Sequence, residues 1–346
     1  MTFMEKPEPM KRKPTDSAHG RKERDRMAWK KKLTVKEKEE YKEKKKEEMG
    51  DLFRKIDEGV RAVFDSEKYK EYLRVMSKFT HYSAGNCLLI VMQKPDASLV
   101  AAYGKWKSLG RQVNKGETGI RILAPMPYKK KHTEQGEDEE TDETERIGFK
   151  AVSVFDVSQT SGKELPEYLC DLTGEIEPEQ MAAVLDALRS VTGISVAFEN
   201  IPGNARGYYS QSEDRIVIQS GMSDAQTLKT AFHECAHKLL HDKKTALPTV
   251  NADRGAKETH AESIAFIVSS HFGLDTSDYS FPYIARWSDG KPLPELHRYL
   301  SEIQQASQTM IDAVTDALIS LEQPQKEEQT AEAEEENTLC FSGISM

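Results

Sequence analysis

The sequence predicts an α+β protein: N-terminal helices with a small antiparallel sheet, then a mostly helical unit with a small sheet of its own. Three observations lead there. Residues 51–93 repeat apolar side chains at helical spacing. Residues 98–158 break into short runs rich in Val, Ile and Phe, punctuated by Gly110, Gly116 and Gly119. Residues 178–321 return to long helical patterns with only two strand-like runs among them.

In "DLFRKIDEGVRAVF", Leu52, Phe53, Ile56, Val60 and Val63 fall on one helical face. "SEKYKEYLRVMSKF" opens on a serine, and "SAGNCLLIVMQ" is apolar enough to be buried and stops before Pro95. "SLVAAY", "RQV", "GIRILAPM" and "FKAVSVFDVS" read as strands. The acidic run "KKKHTEQGEDEETDETER", at 129–146, reads as an exposed loop between the last two. A helix is expected from Glu177 to Gly193, then strands at "ISVAFEN" and "DRIVIQS". Asp224 is a suitable N-cap for the helix through "FHECAHKLLHD". A further helix, "KETHAESIAFIVSSHFG", ends at Gly273, and helical stretches follow near 282–287 and over 293–321. The expected organisation is a basic disordered or loosely helical arm (1–50), a first domain (51–162), a linker (163–178), a second domain (179–321) and an acidic disordered tail (322–346).

A chain of 346 residues can bury one large core or two modest ones. Its net charge of −9 conceals an asymmetry, because residues 1–50 hold 17 Lys and Arg against 11 Asp and Glu. No apolar run is long enough for a membrane span, and the polar start lacks the apolar core of a secretory leader. Cys87, Cys170, Cys235 and Cys340 are far apart and match no zinc-knuckle spacing, which fits a reducing cytoplasm.

"HECAH" is His-Glu-x-x-His. On a helix, His233 and His237 share one face and offer two imidazoles to one metal ion. Glu234 flanks that point and can reach a water there without binding the ion, which suits a general base. A third ligand is needed. The position six residues after His237 is Lys243, which excludes the metzincin pattern. His241, one turn on, reads as a supporting residue. The next helix offers Glu258 and Glu262, and a glutamate from a second helix is the gluzincin solution. Glu258 as ligand with Glu262 supporting a histidine fits "ETHAE", and the reverse assignment stays open. His260 is expected on the exposed face. His241, Tyr208, Tyr209 and His271 are candidates for oxyanion stabilisation.

Residues 98–128 carry Lys105, Lys107, Arg111, Lys115 and Arg121 against one acid, Glu117, with Tyr103 and Trp106 among them. Cations beside aromatic rings suit a single nucleic-acid strand, although Trp106 also suits a small core.

The stretch from "HYSAGNCLLIVMQKPDASLVAAYGKWKSLGRQVNKGETGIRILAPM" to "FKAVSVFDVSQT" resembles the N-terminal domain of ArdC-type antirestriction proteins. The landmarks are Asn86, Gln93 and Pro95, Trp106, the Leu-Gly-Arg at 109–111, the turn at 115–116, and the Phe-Asp…Gln-Thr of 155–160. The second half resembles the zincin-like peptidases of the ArdC and ImmA/IrrE type. The resemblance implies single-stranded-DNA binding, with candidate contacts Tyr82, Asn86, Lys105, Trp106, Arg111, Lys115 and Arg121. It implies Zn2+ held by His233, His237 and Glu258, with Glu234 as base and a protein or peptide substrate. The setting it implies is antirestriction or DNA transfer by a mobile element. A protein that only coats single-stranded DNA, with a structural zinc site, is the alternative.

Overall fold

A computed structural model describes residues 34–129, 145–165, 172–242 and 254–342, with side chains to Leu321 except at 66, 128, 129 and 145–147. Most of the acidic insertion, part of the 163–178 linker, and Cys170 lie outside the described residues. Contacts divide the chain into two compact units, Met1–Glu48 and Met49–Met346. Among the described residues no helix is long and apolar enough to cross a membrane.

Helix α1 (Val35–Val63) begins inside the segment expected as a basic arm. From Met49 on, it buries Leu52, Ile56, Val60 and Val63. Phe53 is off this face and 41% exposed, because its direction lies a quarter-turn or more from that of Leu52. Its ring meets Phe149 edge-on at 6.0 Å. Helices α2 (Ser66–Lys78) and α3 (Ala84–Gln93) follow, the latter capped by Ser83 Oγ accepting from the Asn86 amide.

The first sheet is antiparallel, in the order β1 (Val100–Ala102), β4 (Glu145–Asp156), β3 (Ile120–Lys129). Its register runs from Ile120↔Val154 to Lys129↔Glu145. The run expected as a strand through Tyr103 turns there into a short helix, α4 (Tyr103–Ser108), which swings Trp106 inward. Strands β2 (Arg111–Val113) and β5 (Thr160–Gly162) form a separate antiparallel pair.

Helix α5 (Pro178–Thr192) starts at a Glu177–Gln180 capping box and ends at Gly193, which takes the left-handed conformation at φ 71°. The second sheet has the order β6 (Val196–Glu199), β8 (Arg215–Gln219), β7 (Gly207–Ser210). β6 runs parallel to β8 and β7 antiparallel to it. Ile216, Val217 and Ile218 are all fully buried, so the central strand reads as a continuous apolar run rather than an alternating one.

Helix α6 (Asp224–His241) carries the His-Glu-x-x-His run. Its N-cap is Ser223, whose Oγ accepts from the Gln226 amide; Asp224 is the first helical residue instead. Helix α7 (Arg254–His271) is central to the core. α2, α6 and α9 (Leu293–Ser342) all pack on it, with the short α8 (Ile284–Ser288) at one end. Enclosed on so many sides, α7 has little exposed face left. His260 is therefore buried, with its ring stacked 3.8 Å from Tyr299, rather than exposed. α9 continues as backbone helix past Leu321 into the segment expected as an acidic tail.

The N-terminal helices share this core. Tyr69 Oη on α2 lies 2.8 Å from Ser263 Oγ on α7, and Ser263 Oγ in turn donates to Thr259 O. Lys70 Nζ donates to Tyr279 O at 2.7 Å, His271 Nδ1 to Ser77 O at 2.8 Å, and Gln304 Nε2 to Thr80 O.

Candidate metal centre

The i,i+4 spacing on α6 brings His233 and His237 side by side, and α7 crosses them with Glu258. The Nε2 atoms of the two histidines are 3.1 Å apart, and each lies 3.5 Å from Glu258 Oε2. Ligand atoms about 2.0–2.1 Å from a tetrahedral ion stand about 3.3–3.4 Å from one another, so this triangle fits the face of such a site. The donor set, two imidazoles and a carboxylate, suits a divalent metal.

Glu262, one turn along α7, reaches the other side of His233: its Oε2 is 3.2 Å from Nδ1. Glu258 thus faces both Nε2 atoms and Glu262 faces one Nδ1, where the sequence favoured Glu258 as ligand and left the reverse open. His241 lies outside the triad, buried between His237 and His260 with ring centroids 5.7 and 5.5 Å away. Burial, with His237 and Lys257 nearby, holds its pKa down to about 4.

Electrostatics follow the geometry. Burial works against a charged His233, but hydrogen bonds to Glu258 and Glu262 outweigh it and raise its pKa to about 9. Those same contacts, to His233 and His237, hold the Glu258 carboxyl well below its usual range. Glu234 is pushed upward, chiefly by burial, while the neighbouring histidines and the Tyr209 backbone amide pull it back. A carboxylate poised upward beside a candidate metal site is suited to accept a proton.

Two cavities flank the triad and share Gly207, His233 and Glu234 on their walls. One, of about 310 Å³, extends toward Arg206, Lys229 and Asp278. The other, of about 620 Å³, extends toward Tyr208, Gln211, Arg254 and Lys257. Strand β7 passes over both as the outer strand of its sheet. Gly207 permits the approach: a Cβ there would sit 2.6 Å from Thr230 Cγ2 and 3.0 Å from Val217 O. The β7–β8 turn is fastened to the end of α6. Gln211 Nε2 donates to His241 O, and Lys238 Nζ sits between Asp214 and Asp242 at 2.6 and 2.7 Å.

Among the candidates for oxyanion stabilisation, Tyr208 is exposed in the cleft. Tyr209 faces Asp214 and Lys238. His271 is engaged with Ser77 and lines a different cavity.

The expected DNA-contacting residues are scattered in role. Trp106 is fully buried and donates Nε1–H to Phe155 O, so no ring face is left for a base to stack on. Asn86 is buried too, and pins α3 to β3 through Nδ2 to Leu123 O and Leu123 N to Oδ1. Tyr82 donates to Val100 O. The Arg111 guanidinium donates to Thr160 Oγ1, Thr160 O and Lys163 O. Arg121 is tied to Ser153 Oγ. Lys105 and Lys115 remain exposed, and Tyr103, 51% exposed, is the aromatic residue beside Lys105 that reaches solvent. The sequence held no signal that separated Tyr103 from Trp106. Nor did it point to Lys229 on the histidine helix itself, or to Gly207 and Asp278, which meet that helix only through the fold.

Two families match the chain. One, described as the N-terminal domain of anti-restriction factor ArdC, matches residues 42–155. The other, described as an IrrE N-terminal-like domain, matches residues 189–291 and so includes both histidines, Glu234, Glu258 and Glu262. An uncharacterized protein of Bacillus anthracis is 28% identical over 334 aligned residues, covering 85% of this chain. This chain spans 55% of that protein's length. The metal-free crystal structure of the antirestriction ArdC protein from plasmid R388 has a TM-score of 0.46 at 24% identity, covering 69% of this chain and 84% of that one. Its Mn(II)-bound structure has a TM-score of 0.41 at 24% identity, covering 68% and 84%. Along one chain, a segment that matches the ArdC N-terminal domain is followed by one that matches the IrrE N-terminal-like domain, which supports the resemblance to ArdC-type antirestriction proteins.

Proposed function

We propose that the chain is a zinc-dependent peptidase of the gluzincin type, joined to a single-stranded-DNA-binding part and serving antirestriction or DNA transfer by a mobile element. One observation carries the reading: Glu234 stands in the cleft beside the His233–His237–Glu258 triangle, where a purely structural metal site has no use for a general base. His233, His237 and Glu258 are the ligands on this reading, and Glu262 orients His233. When bound, zinc acidifies water and polarises a peptide carbonyl. Glu234 takes the proton from the attacking water and passes it to the leaving amine. Strand β7 offers its outer edge to an extended substrate chain. On this reading Tyr208, which lines the larger cavity, donates to the developing oxyanion. The DNA-binding part uses exposed Tyr103, Lys105 and Lys115.

The test is a paired assay of wild type and Glu234→Gln. Zinc is quantified in both, and self-cleavage and cleavage of unfolded proteins are followed with and without single-stranded DNA. Zinc in both with cleavage only in wild type is the expected result. Zinc and DNA binding with no cleavage under any condition would replace the peptidase by a DNA-coating protein.

A further inference from the structure

Away from the metal triad, the walls of the cleft are cationic. Arg206 stands exposed beside the smaller cavity, its Nη1 donating to Gln226 Oε1 at 2.9 Å. Lys229, only 9% exposed, sits deeper on the same side with Nζ 3.0 Å from Asp278 Oδ1. Across the triad, Arg254 and Lys257 at the start of α7 line the larger cavity. Neither forms an ion pair with another described residue. The carboxylates on these walls are already committed. Glu234, Glu258 and Glu262 cluster with the two histidines, and Asp278 is matched by Lys229. Among the described residues, Arg206, Arg254 and Lys257 are left as positive charge without a matching acid, on both sides of the triad.

A chain lying along β7 passes from one cavity to the other, because Gly207 borders both. Its side chains then meet Arg206 on one side and Lys257 and Arg254 on the other. We infer that the cleft selects an acidic peptide segment, with Asp or Glu on both sides of the bond that lies at the metal. The cutting of that segment rests on the peptidase reading; its selective binding does not. A concave, partly enclosed site concentrates the field of such cations, so they discriminate more sharply than the same charges on an open surface. The arginines also offer forked donors matched to carboxylates.

Binding tests the inference without relying on turnover. Zinc-loaded full-length Glu234→Gln is titrated with labelled synthetic peptides of one length whose central residues are Glu, Leu or Lys. At low salt the Glu peptide should bind about tenfold more tightly than the Lys peptide, and the gap should narrow as salt rises. In the Arg206→Glu/Lys257→Glu double variant the order should reverse. Arg206 is exposed and Lys257 half-buried, and circular dichroism and zinc content confirm the fold. Equal or tighter binding of the Leu or Lys peptide overturns the inference, as does an order that survives the charge reversal. A single-stranded oligonucleotide is the competitor. Displacement of the Glu peptide by that oligonucleotide, with oligonucleotide binding lost in the double variant, would assign these cations to nucleic acid and also overturn it. If the protein takes up no zinc, or wild type cuts nothing, the peptidase reading fails while the order of peptide affinities still decides this one.

Discussion

Glu262 Oε2 lies 3.2 Å from His233 Nδ1, on the side of the ring away from Nε2, which faces His237 and Glu258. This contact fixes which nitrogen of His233 is free to bind a metal. Glu262→Ala should therefore weaken zinc affinity about ten- to a hundredfold, as is usual when the partner of a ligand histidine is removed. Glu258→Ala, which deletes a proposed ligand, should cost more. Competition titration against a chelating dye of known affinity ranks the two. Equal losses, or a larger loss in Glu262→Ala, would exchange their roles.

Metal uptake should depend on pH through His233. In the metal-free site its pKa is raised to about 9, although burial opposes the charge, because Glu258 and Glu262 hold the proton. On the proposed reading, zinc displaces that proton. Apparent affinity should rise about tenfold per pH unit between about pH 6.5 and 9, then level off. The sign for stability is opposite. A folded pKa above the unfolded value stabilises the metal-free protein fully below pH 6.5, and this contribution is lost as pH rises through 9. Calorimetric titration of zinc at several pH values, with melting curves of the metal-free protein, checks both slopes.

Gly207→Ala should separate β7 from α6. The added Cβ would meet the Thr230 methyl and the Val217 carbonyl, and neither can yield without moving a strand or the metal helix. A cost of about 1–3 kcal/mol in urea denaturation is expected. The metal triangle does not include β7, so zinc should still bind. Cleavage should fall much further than metal affinity.

Trp106 and Tyr103 should behave oppositely. Trp106→Ala removes a fully buried ring and should cost about 3–5 kcal/mol of stability. Trp106→Phe, which folds more readily, should leave single-stranded-DNA affinity nearly unchanged. Tyr103→Ala should leave stability nearly unchanged and weaken DNA binding by about 1–3 kcal/mol, the usual range for a stacking ring. Fluorescence anisotropy with a labelled oligonucleotide decides. A loss of affinity in Trp106→Phe larger than that in Tyr103→Ala would reject the assignment.

Local periodicity made the histidine helix legible. The i,i+4 histidines and the glutamate beside them needed only the geometry of one helix, and "ETHAE" needed only a second helix close by. Which glutamate faced which nitrogen depended on how α7 crosses α6, and no spacing within one element encodes that. The same limit explains His260. Its placement on α7 was predictable, but its burial came from α9, which supplies Tyr299 from far along the chain. In the N-terminal part, Trp106 and Tyr103 share the sequence cue of an aromatic among cations. A three-residue offset on the short α4 puts one ring in the core and leaves the other in solvent. Asn86 was a landmark of the resemblance, and its side chain turned out to tie a helix to a strand rather than face outward.

The bonds from Tyr69 to Ser263 and from Lys70 to Tyr279 join segments that match two separate families. The seam is therefore not a tether but a shared interior. Genes that recombine at the boundary between the two matches would have to inherit both faces of it together. A transplanted second half would arrive with the Ser263 hydroxyl and the Tyr279 carbonyl stripped of these partners and with the apolar flank of α7 open to water. Ancestry in this lineage should accordingly show the halves diverging in step, with residue changes at Tyr69 answered by changes at Ser263, rather than as cassettes traded between unrelated proteins.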